Sequence, residues 1–516
     1  MGKSEGYIIA PSCLWDGIAN ELETGMSLLI EEGKVVRKGT LEQCREQSPD
    51  AEVIREDVLI LPGFIDAHDH GRGISPTGYG TYDAPLEMWL QDLYKIPAVK
   101  HYTATYYDGL RLASSGVTTV LHSHNPNNFS NLYEECLDAA KGYMDAGIRS
   151  VICPIFIDQN KGIYAERDEF IKSLPEETGK AFASGIHDKI MDIDTYLKLI
   201  DSLRETLKEE ISEGLVEIQL HPNGGQWCSD ESLLRMKEYA VSNGLKIHMH
   251  LLETKYQAIF AQKEWGCSFI EHYEKIGFLG PWLSCAHMIW ITNKDQELLK
   301  KYDVLPVNNP SSNIRLRSGI FPLRGLVEKE APVGLGLDGC AFDDDQDFLR
   351  EMRTAFYNIE CVGSGSIIPN IVPLKMATVW GSKIADGRLS PGTLVEGSDA
   401  DMVCISLKEL KKPYADDFAD VLDLLMHRGR RETVQATYLK GKKIYDKTET
   451  RAKLEEAEQM IVSEIETLRR EKPFREIAWK KELISRVEEF YKGWETEYEN
   501  YSDCTNCTEK KIHLCK

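Results

Sequence analysis

The stretch LPGFIDAHDHGRG, residues 61–73, runs from an apolar segment into two histidines separated by one residue. His68 and His70 stand at the end of what reads as a buried strand, and residues two apart on a strand point to the same side. The pair can open a metal site, or it can be an ordinary hydrogen-bonded pair. A metal site requires the rest of the chain to supply further ligands.

Apolar runs of the same kind recur along the chain and are separated by segments with helical spacing. There are eight such runs, at residues 61–68, 117–124, 149–157, 215–221, 245–251, 283–289, 304–309 and 333–338. Apolar runs that alternate with helices indicate parallel strands buried on both faces. Eight of them favour a closed (β/α)₈ barrel over an open sheet, so we predict an α/β protein built on a TIM barrel.

Both ends of the chain have a different sequence pattern, in which short β-rich runs are separated by turns. GMSLLIEEGKVVRKG (residues 25–39) and TVQATYLKGKKIYD (residues 433–446) are typical of hairpins. We predict that residues 1–60 and 390–447 form one small β-sandwich-like domain, with the barrel at 61–389. Residues 448–516 carry apolar residues at helical spacing among many charges, and we expect them to form a solvated, charged helical C-terminal extension.

Composition restricts the partners. The chain has 61 basic and 83 acidic residues and a net charge of −22, which argues against nucleic acid and anionic membrane surfaces. It contains no apolar run of transmembrane length, no secretory signal, and 13 cysteines that lie largely in apolar contexts. We therefore expect a cytoplasmic protein with a small-molecule partner, assembled as a homodimer or higher homo-oligomer.

Polar residues with metal-binding chemistry fall at the carboxyl ends of the predicted strands, the face on which barrels of this type carry their active sites. These are His68, His70, His122, His124, His221, His250, His287 and Asp338. Neutral imidazole together with carboxylate suits zinc or ferrous iron. We predict one divalent metal ion per chain, with zinc favoured over iron. His68 and His70 open the site and His250 is assigned to it, whereas Asp338 is either a further ligand or a turn aspartate before Gly339.

Two further residues have the chemistry of catalytic groups. Glu253 follows His250 by three positions, so its carboxyl group can return to the barrel mouth as a proton carrier. His287 can polarise the attacking water or orient the substrate. A surface glutamate and a packed core histidine are the alternatives. His248, two residues before His250, is assigned to a buried, hydrogen-bonded position behind the metal.

The segments LPGFIDAHDH, HMHLLE, CAHMIWIT, NNPSSNIRLRSGIFPL and VGLGLDG together resemble the amidohydrolase superfamily. The similarity is to its cytosine deaminase-like, chlorohydrolase-like and S-adenosylhomocysteine deaminase-like members, and it extends from about residue 5 to about residue 447. It implies the four metal ligands given above, with Glu253, His287 and Asp338 as catalytic residues. Binuclear members carry a carboxylated lysine on the fourth strand, which LVEIQLHPN lacks, so the resemblance implies a single metal.

The substrate side departs from that family. Adenosine-type deaminases of this branch carry a substrate-binding histidine whose place, counted back from Cys228, is taken here by Asn223. This argues against aminopurine specificity. His221 lies two residues earlier and either reaches the substrate or ends the strand. The candidate substrate-binding set is His221, Asn223, Trp227, His124 and Tyr82, although the aromatic members equally suit loop packing and His124 equally suits a structural role.

The leading hypothesis is a hydrolytic deaminase of a small amino-substituted nitrogen heterocycle. Hydrolysis of a cyclic amide or a chloro-heterocycle at the same site is the first alternative, and a non-catalytic barrel scaffold is the second. Beyond the family resemblance, the tail offers Cys504, Cys507, His513 and Cys515, which are either a small zinc site or an ordinary exposed tail.

Overall fold

The computed structural model describes residues 6–497 except for 160–161, 166, 185–190, 340–343, 361–367, 387–388, 390 and 474–476. The candidate zinc site of the C-terminal tail, at Cys504, Cys507, His513 and Cys515, lies outside the described residues.

A single eight-stranded sheet combines the two ends of the chain. Its strands are β1 (Tyr7–Leu14), β2 (Glu23–Thr24), β3 (Met26–Glu31), β4 (Lys34–Thr40), β5 (Glu52–Pro62), β15 (Met402–Ser406), β16 (Val434–Leu439) and β17 (Lys442–Asp446). The order is β17-β16-β15-β5-β1-β3-β4, with β2 paired to β1. Strands from both ends of the chain thus share one sheet, and β5 continues across residue 60, where the sequence predicted a boundary.

Alternation along the central strand β5 gives this sheet two buried faces. Val58 and Ile60 belong to a core internal to the small unit, whereas Leu59 and Leu61 belong to the main core shared with the barrel. All four side chains are fully buried. The sheet is thus packed directly onto the barrel.

The barrel strands follow in chain order, and the fourth is split in two. They are β6 (Phe64–Asp69), β7 (Val117–His124), β8 (Arg149–Phe156), β9 (Val216–Ile218), β10 (His221–Pro222), β11 (Ile247–Leu251), β12 (Leu283–His287), β13 (Leu305–Asn308) and β14 (Gly334–Leu335). All neighbouring pairs are parallel. Every residue of β6, β7, β8, β11 and β12 is buried, as expected for strands covered on both faces.

Backbone hydrogen bonds connect the two halves of the barrel. On one side the His248 amide donates to the Leu220 carbonyl at 2.9 Å. On the other side the Asp338 amide donates to the His68 carbonyl at 2.8 Å. The strands therefore form a closed (β/α)₈ arrangement, and the predicted fold class is confirmed.

The helices surround this barrel and begin at polar caps where the sequence supplies them, as at Ser229, Ser268 and Thr292. They are α1 (Leu41–Gln47), α2 (Leu86–Asp92), α3 (His101–Ser114), α4 (Leu132–Ala146), α5 (Arg167–Ser173), α6 (Glu176–Ala183), α7 (Ile193–Thr206), α8 (Lys208–Ser212), α9 (Asp230–Asn243), α10 (Lys255–Trp265), α11 (Phe269–Ile276), α12 (Asn293–Lys301), α13 (Pro310–Arg315), α14 (Leu323–Glu328), α15 (Phe348–Glu360), α16 (Ile371–Met376), α17 (Val379–Ala385), α18 (Leu407–Leu410), α19 (Val421–Arg428), α20 (Arg451–Glu471) and α21 (Ala478–Glu497). Within the described part of the chain, none of them is both long and apolar enough to cross a membrane.

The C-terminal extension is helical, but the expectation of a solvated appendage is wrong for α21. This helix packs against α2, α6 and α10, which follow barrel strands on the side of the mouth. Leu483, Val487, Tyr491 and Trp494 are buried and belong to the main core. Their spacing of three or four residues gives α21 one apolar face, and this face covers part of the barrel mouth.

Candidate active site

The four predicted metal ligands meet at the barrel mouth. His68 lies near the end of β6, His70 directly follows that strand, His250 lies in β11, and Asp338 follows β14. The Nε2 atoms of His68 and His70 are 3.0 and 3.1 Å from Asp338 Oδ1, and the Nε2 atoms of His70 and His250 are 3.4 Å apart. All four side chains are at most 8% exposed, so the cluster is shielded from bulk water.

Backbone carbonyls fix the tautomers of two of these histidines. His70 Nδ1 lies 2.8 Å from the Ser123 carbonyl oxygen, and His250 Nδ1 lies 2.7 Å from the Asn223 carbonyl oxygen. Because a carbonyl oxygen can only accept, Nδ1 must carry the proton in each ring. Each Nε2 atom is left with a lone pair that faces the cluster.

His68 is oriented by a chain of side chains behind the cluster. Its Nδ1 is 2.8 Å from His248 Nε2, and His248 Nδ1 is 2.8 Å from Ser284 Oγ. His68 Nε2 is buried and makes no hydrogen bond, although Asp338 Oδ1 is close. Burial lowers the pKa of His68 to about 4, so the ring is neutral at physiological pH. Neutral imidazole nitrogens around one carboxylate oxygen fit a divalent metal ion.

The backbone around Asp338 is shaped for close approach. Asp338 itself has φ of +62°, and Gly336 packs so tightly that a Cβ atom there would lie 2.7 Å from the His68 carbonyl oxygen. Asp338 Oδ2 accepts a 2.5 Å hydrogen bond from Ser312 Oγ. Burial raises the pKa of Asp338, but the neighbouring imidazoles of His68, His70 and His287 outweigh burial and hold the pKa well below its usual value. The group is therefore a carboxylate.

Glu253 and His287 form the other side of the site. His287 Nε2 is 3.6 Å from Glu253 Oε2 and 3.9 Å from Asp338 Oδ2. The His287 ring is held by Asn313 Oδ1, which lies 3.0 Å from Nδ1. Burial, followed by the negative charges of Asp338 and Glu87, raises the pKa of Glu253 well above its usual value. The surroundings thus shift the pKa values of the Asp338 and Glu253 carboxyl groups in opposite directions, a separation typical of acid–base catalysis.

His287 is also within reach of a metal. Ligand atoms of His68, His250, His287 and Asp338 all lie within 4.8 Å of one another. His287, however, is placed near the Oδ2 oxygen of Asp338, whereas His68 and His70 converge on Oδ1. The two oxygens of Asp338 therefore face different groups.

The predicted substrate-binding residues have diverse positions. His221 donates from Nδ1 to the His248 carbonyl at 2.7 Å, and its buried Nε2 has no hydrogen-bond partner. Asn223 contacts the cluster through its backbone carbonyl. Trp227 is buried with its ring centroid 5.8 Å from that of Tyr164. Tyr82 is 73% exposed, so the structure does not bring it into the buried cluster.

His124 also lies apart from the metal ligands. It is fully buried in a separate group with His101 and Glu135. Its neighbour His122 is buried beside it, with His122 Nε2 3.0 Å from His124 Nδ1. The structure therefore does not place His124 with the other candidate substrate residues.

Sequence reasoning missed a buried carboxyl group next to Glu253. Glu87, in α2, accepts a 2.6 Å hydrogen bond at Oε1 from Thr254 Oγ1, while Oε2 has no well-aligned hydrogen bond. Burial raises its pKa to about 7. The sequence feature that could have indicated this buried carboxyl group is the segment LEMWL, in which Glu87 stands among large apolar residues.

The side chains packed around Glu87 come from distant parts of the chain. Tyr164, which follows β8, interacts with Glu87, and its backbone amide donates to the hydroxyl of Tyr491 in α21 at 3.1 Å. The Tyr491 ring also stacks near Tyr256 of α10, with centroids 4.6 Å apart. The C-terminal helix therefore completes the wall of the site.

Curated relatives span nearly the whole chain. A 5'-deoxyadenosine deaminase from Methanococcoides burtonii is 27% identical over 454 residues, covering 86% of this chain and 91% of the relative. A 5-methylthioadenosine/S-adenosylhomocysteine deaminase from Thermococcus sibiricus is 27% identical over 427 residues, covering 80% and 88% respectively.

Solved structures have the same fold. An adenosine deaminase from Xanthomonas campestris with bound zinc superposes with a TM-score of 0.71 at 20% identity, covering 89% of this chain and 98% of that one. An atrazine chlorohydrolase from Arthrobacter aurescens complexed with zinc gives a TM-score of 0.73 at 19% identity, covering 89% and 100%. At this identity the likeness concerns the fold alone.

The model of the amidohydrolase family matches residues 59–444, well over half of the chain and all of the barrel strands. This match confirms the resemblance that the strand-end motifs indicated. Members of this family are metal-dependent hydrolases, in agreement with the cluster of His and Asp ligands at the barrel mouth. The chain belongs to the amidohydrolase family.

Proposed function

We propose that the protein is a metal-dependent aminohydrolase that replaces the exocyclic amino group of a purine-type heterocycle with oxygen and releases ammonia. One observation carries the proposal: the buried Glu253, whose pKa is raised well above its usual value by burial, stands beside His287, opposite a set of histidines around Asp338 that could bind a metal ion. Together these groups can deprotonate water on one side of the substrate ring and protonate a ring nitrogen on the other.

We assign His68, His70, His250 and Asp338 Oδ1 as ligands of one divalent ion. The support is geometric, because the nitrogen lone pairs of these histidines converge near Oδ1 while His287 faces Oδ2. Nitrogen-rich sets with one carboxylate suit zinc, and iron takes the same ligands. Bound there, the metal would lower the pKa of a water molecule from about 16 to about 7, making hydroxide available at neutral pH.

The protein groups would then move protons. Asp338 Oδ2 and His287 Nε2 are placed to take the proton that water loses as its oxygen bonds to the ring carbon. Glu253 donates its proton to the adjacent ring nitrogen, and a further transfer through Glu253 protonates the departing amine. One water is consumed, the carbon–nitrogen bond breaks, and the products are the oxo-heterocycle and ammonia.

The relatives' names favour an adenosine-type substrate. Glu87 supports a substrate that carries hydroxyl donors, because its buried Oε2 is available as an acceptor beside Glu253. Asn223 still departs from the histidine expected for adenosine-type deaminases, so the groups that hold the ring differ. His221, with its free Nε2, is the candidate replacement.

We further propose a cytoplasmic location. The eight cysteines in the described part of the chain are all buried and unpaired, which suits a reducing compartment. The homo-oligomer remains a prediction.

The test is ammonia release by the zinc-loaded protein from a panel of adenosine-type nucleosides, aminopurine bases and amino-pyrimidines. Chloro-triazines and cyclic amides are assayed in parallel for chloride release and ring opening. We expect ammonia from at least one adenosine-type nucleoside. Turnover confined to the chloro or cyclic-amide compounds would replace the proposal with the alternative hydrolysis.

A further inference from the structure

A second group of metal-ligating side chains lies at the carboxyl end of β7, separate from the active-site cluster. His124 is the last residue of β7, His101 is the first residue of α3, and Glu135 lies in the first turn of α4. One ligand atom from each residue lies within 4.8 Å of the other two. We propose that these three residues form a second metal site, which takes a divalent transition-metal ion such as zinc.

The geometry around Glu135 fits a shared ion, because neither histidine nitrogen beside the carboxylate forms a hydrogen bond to it. Glu135 Oε2 is 3.1 Å from His101 Nε2 and 3.8 Å from His124 Nε2. Zinc ligands lie at about 2.0–2.1 Å from the ion, so two ligand atoms of a tetrahedral site are about 3.4 Å apart. This separation lies between the 3.1 and 3.8 Å distances from Glu135 Oε2 to the two histidine nitrogens. Both Nε2 atoms are buried and neither makes a hydrogen bond. His68 Nε2 in the active site has the same combination of a near carboxylate and no hydrogen bond.

A chain of hydrogen bonds prepares His124 as a ligand. The Tyr143 hydroxyl donates to Asp108 Oδ2 at 3.3 Å, so its oxygen can accept from His122 Nδ1 at 3.2 Å. His122 Nε2 then accepts from His124 Nδ1 at 3.0 Å. This direction leaves His124 Nε2 with a lone pair aimed at the cluster. The opposite direction would aim an N–H group at Glu135 Oε2 across 3.8 Å, which is too long for a hydrogen bond.

Glu135 is also held in place before any ion binds. Its two carboxylate oxygens accept from the backbone amides of Asn127 at 2.8 Å and Asn128 at 3.2 Å. Ligands that are fixed by outer hydrogen bonds bind metals more tightly than free ones. Two neutral imidazoles and one carboxylate leave the ligand set with a single negative charge, which suits a divalent cation.

The role that follows is to join three elements beside the active site. Ser123, between His122 and His124, accepts from His70 Nδ1 through its carbonyl, and its Oγ is 3.3 Å from His68 Nδ1. An ion on His124 would therefore fix the segment that orients two active-site ligands. The second ion does not take part in the hydrolysis and the inference does not depend on the proposed substrate.

The test measures bound zinc in the full-length protein after removal of metal, reloading with zinc chloride and gel filtration. Glu135→Gln removes the charged ligand, and His101→Gln removes a nitrogen that makes no hydrogen bond, so the first turn of α3 should stay intact. Glu134→Gln is the matched control, because Glu134 is the exposed neighbour of Glu135 on α4. A His68→Ala/His70→Ala double variant reports on the active-site ion separately.

We expect Glu135→Gln and His101→Gln each to bind one zinc fewer than the wild type and Glu134→Gln, with affinity for that ion at least about 100-fold weaker. The His68→Ala/His70→Ala variant should keep the ion that these substitutions remove. Since the readout is a difference between variants, zinc bound by the tail cysteines does not affect it. If circular dichroism shows that Glu135→Gln is misfolded, the zinc content of His101→Gln tests the proposal instead.

The proposal is overturned if both variants bind as much zinc as the wild type, because the cluster is then a polar network only. It is equally overturned if the ion lost in these variants is also lost from the His68→Ala/His70→Ala variant, because the same ion would then belong to the active site.

Discussion

The metal end of the site and its roof are built in different ways. The metal end consists of the proposed ligands His68, His70, His250 and Asp338, which come from strand ends, and its rings are fixed by backbone carbonyls and by a buried histidine. The roof, Glu87, Tyr164, Trp227 and Tyr491, comes from segments after three different strands and from the C-terminal helix. Parallel strands hold the metal end, whereas side-chain packing between distant segments holds the roof.

This difference assigns bond cleavage and substrate recognition to different parts of the site. Groups on rigid strand ends keep the spacing that bond cleavage requires. Groups on loops can change without disturbing that spacing, and they set which molecule enters. Substitutions at the metal end should therefore remove the reaction, while substitutions in the roof should change substrate preference or local stability.

The largest effect is expected from His70→Ala. The variant should lose bound metal and fall to background activity while keeping its fold, because the barrel core consists of apolar side chains. Metal analysis, activity and circular dichroism measure the three properties, and His427→Ala, an exposed histidine far along the chain, is the control. A fully metal-loaded His70→Ala enzyme would show that the metal end is wrongly assigned.

Glu253→Gln should keep the metal and lose turnover. An amide preserves the shape but cannot carry a proton, and general acid–base catalysis is worth about 10² to 10⁴ in rate. The loss should appear in kcat more than in KM. Glu264→Gln, an exposed site on α10, is the matched control. Near-normal kcat with metal bound would exclude Glu253 as the proton carrier, and loss of metal would make it a ligand.

Glu87→Gln tests the roof. Replacing the acceptor Oε2 by a donor should lower kcat/KM for a hydroxyl-bearing nucleoside by about 10- to 100-fold, as expected for a hydrogen bond to a charged group, without changing metal content. Because burial raises the pKa of Glu87 to about 7, wild-type KM should fall as pH rises through that value, and the variant should lack this dependence. The corresponding free base, which has no sugar hydroxyls, is the control substrate. Equal losses on both substrates would contradict a role in sugar recognition.

Tyr491→Phe should have the smallest effect. It leaves the buried amide of Tyr164 without its acceptor, at a cost of about 1–3 kcal/mol. Hydrogen exchange should show faster opening of α21 and of the segment around Tyr164, with metal content unchanged. Tyr414→Phe, at a tyrosine that is 69% exposed, is the control. Unchanged exchange in Tyr491→Phe would mean that the roof does not depend on this contact.

The proximity of the four proposed ligands could be predicted from sequence, because it follows from local rules of strand geometry. Histidines two apart at a strand end must face the same side, and the parallel barrel brings all strand ends to one face. His248 lies one layer deeper in the strand than His250, and the structure places it behind His68 with 2.8 Å between the ring nitrogens.

The roof and the second cluster could not be predicted in this way. Glu87 and Glu253 are neighbours only because α2 and the segment after β11 pack together, and no spacing in the chain records that contact. His101 and Glu135 similarly come from the first turns of two helices, where polar residues are common. The charged surface of α21 concealed its apolar face, which contains Tyr491.

The sheet that joins the chain ends has a consequence for synthesis on the ribosome. Val58–Pro62 of β5 pair along one edge with Met402–Ser406 of β15, so this apolar edge stays open until almost the whole barrel has been translated. Open apolar edges promote intermolecular pairing. A nascent or truncated chain that ends after Asp338 contains every proposed active-site metal ligand, yet it presents an unpaired strand to its neighbours. Such a chain should aggregate, and a chaperone that shields β5 during translation would raise the yield of active protein.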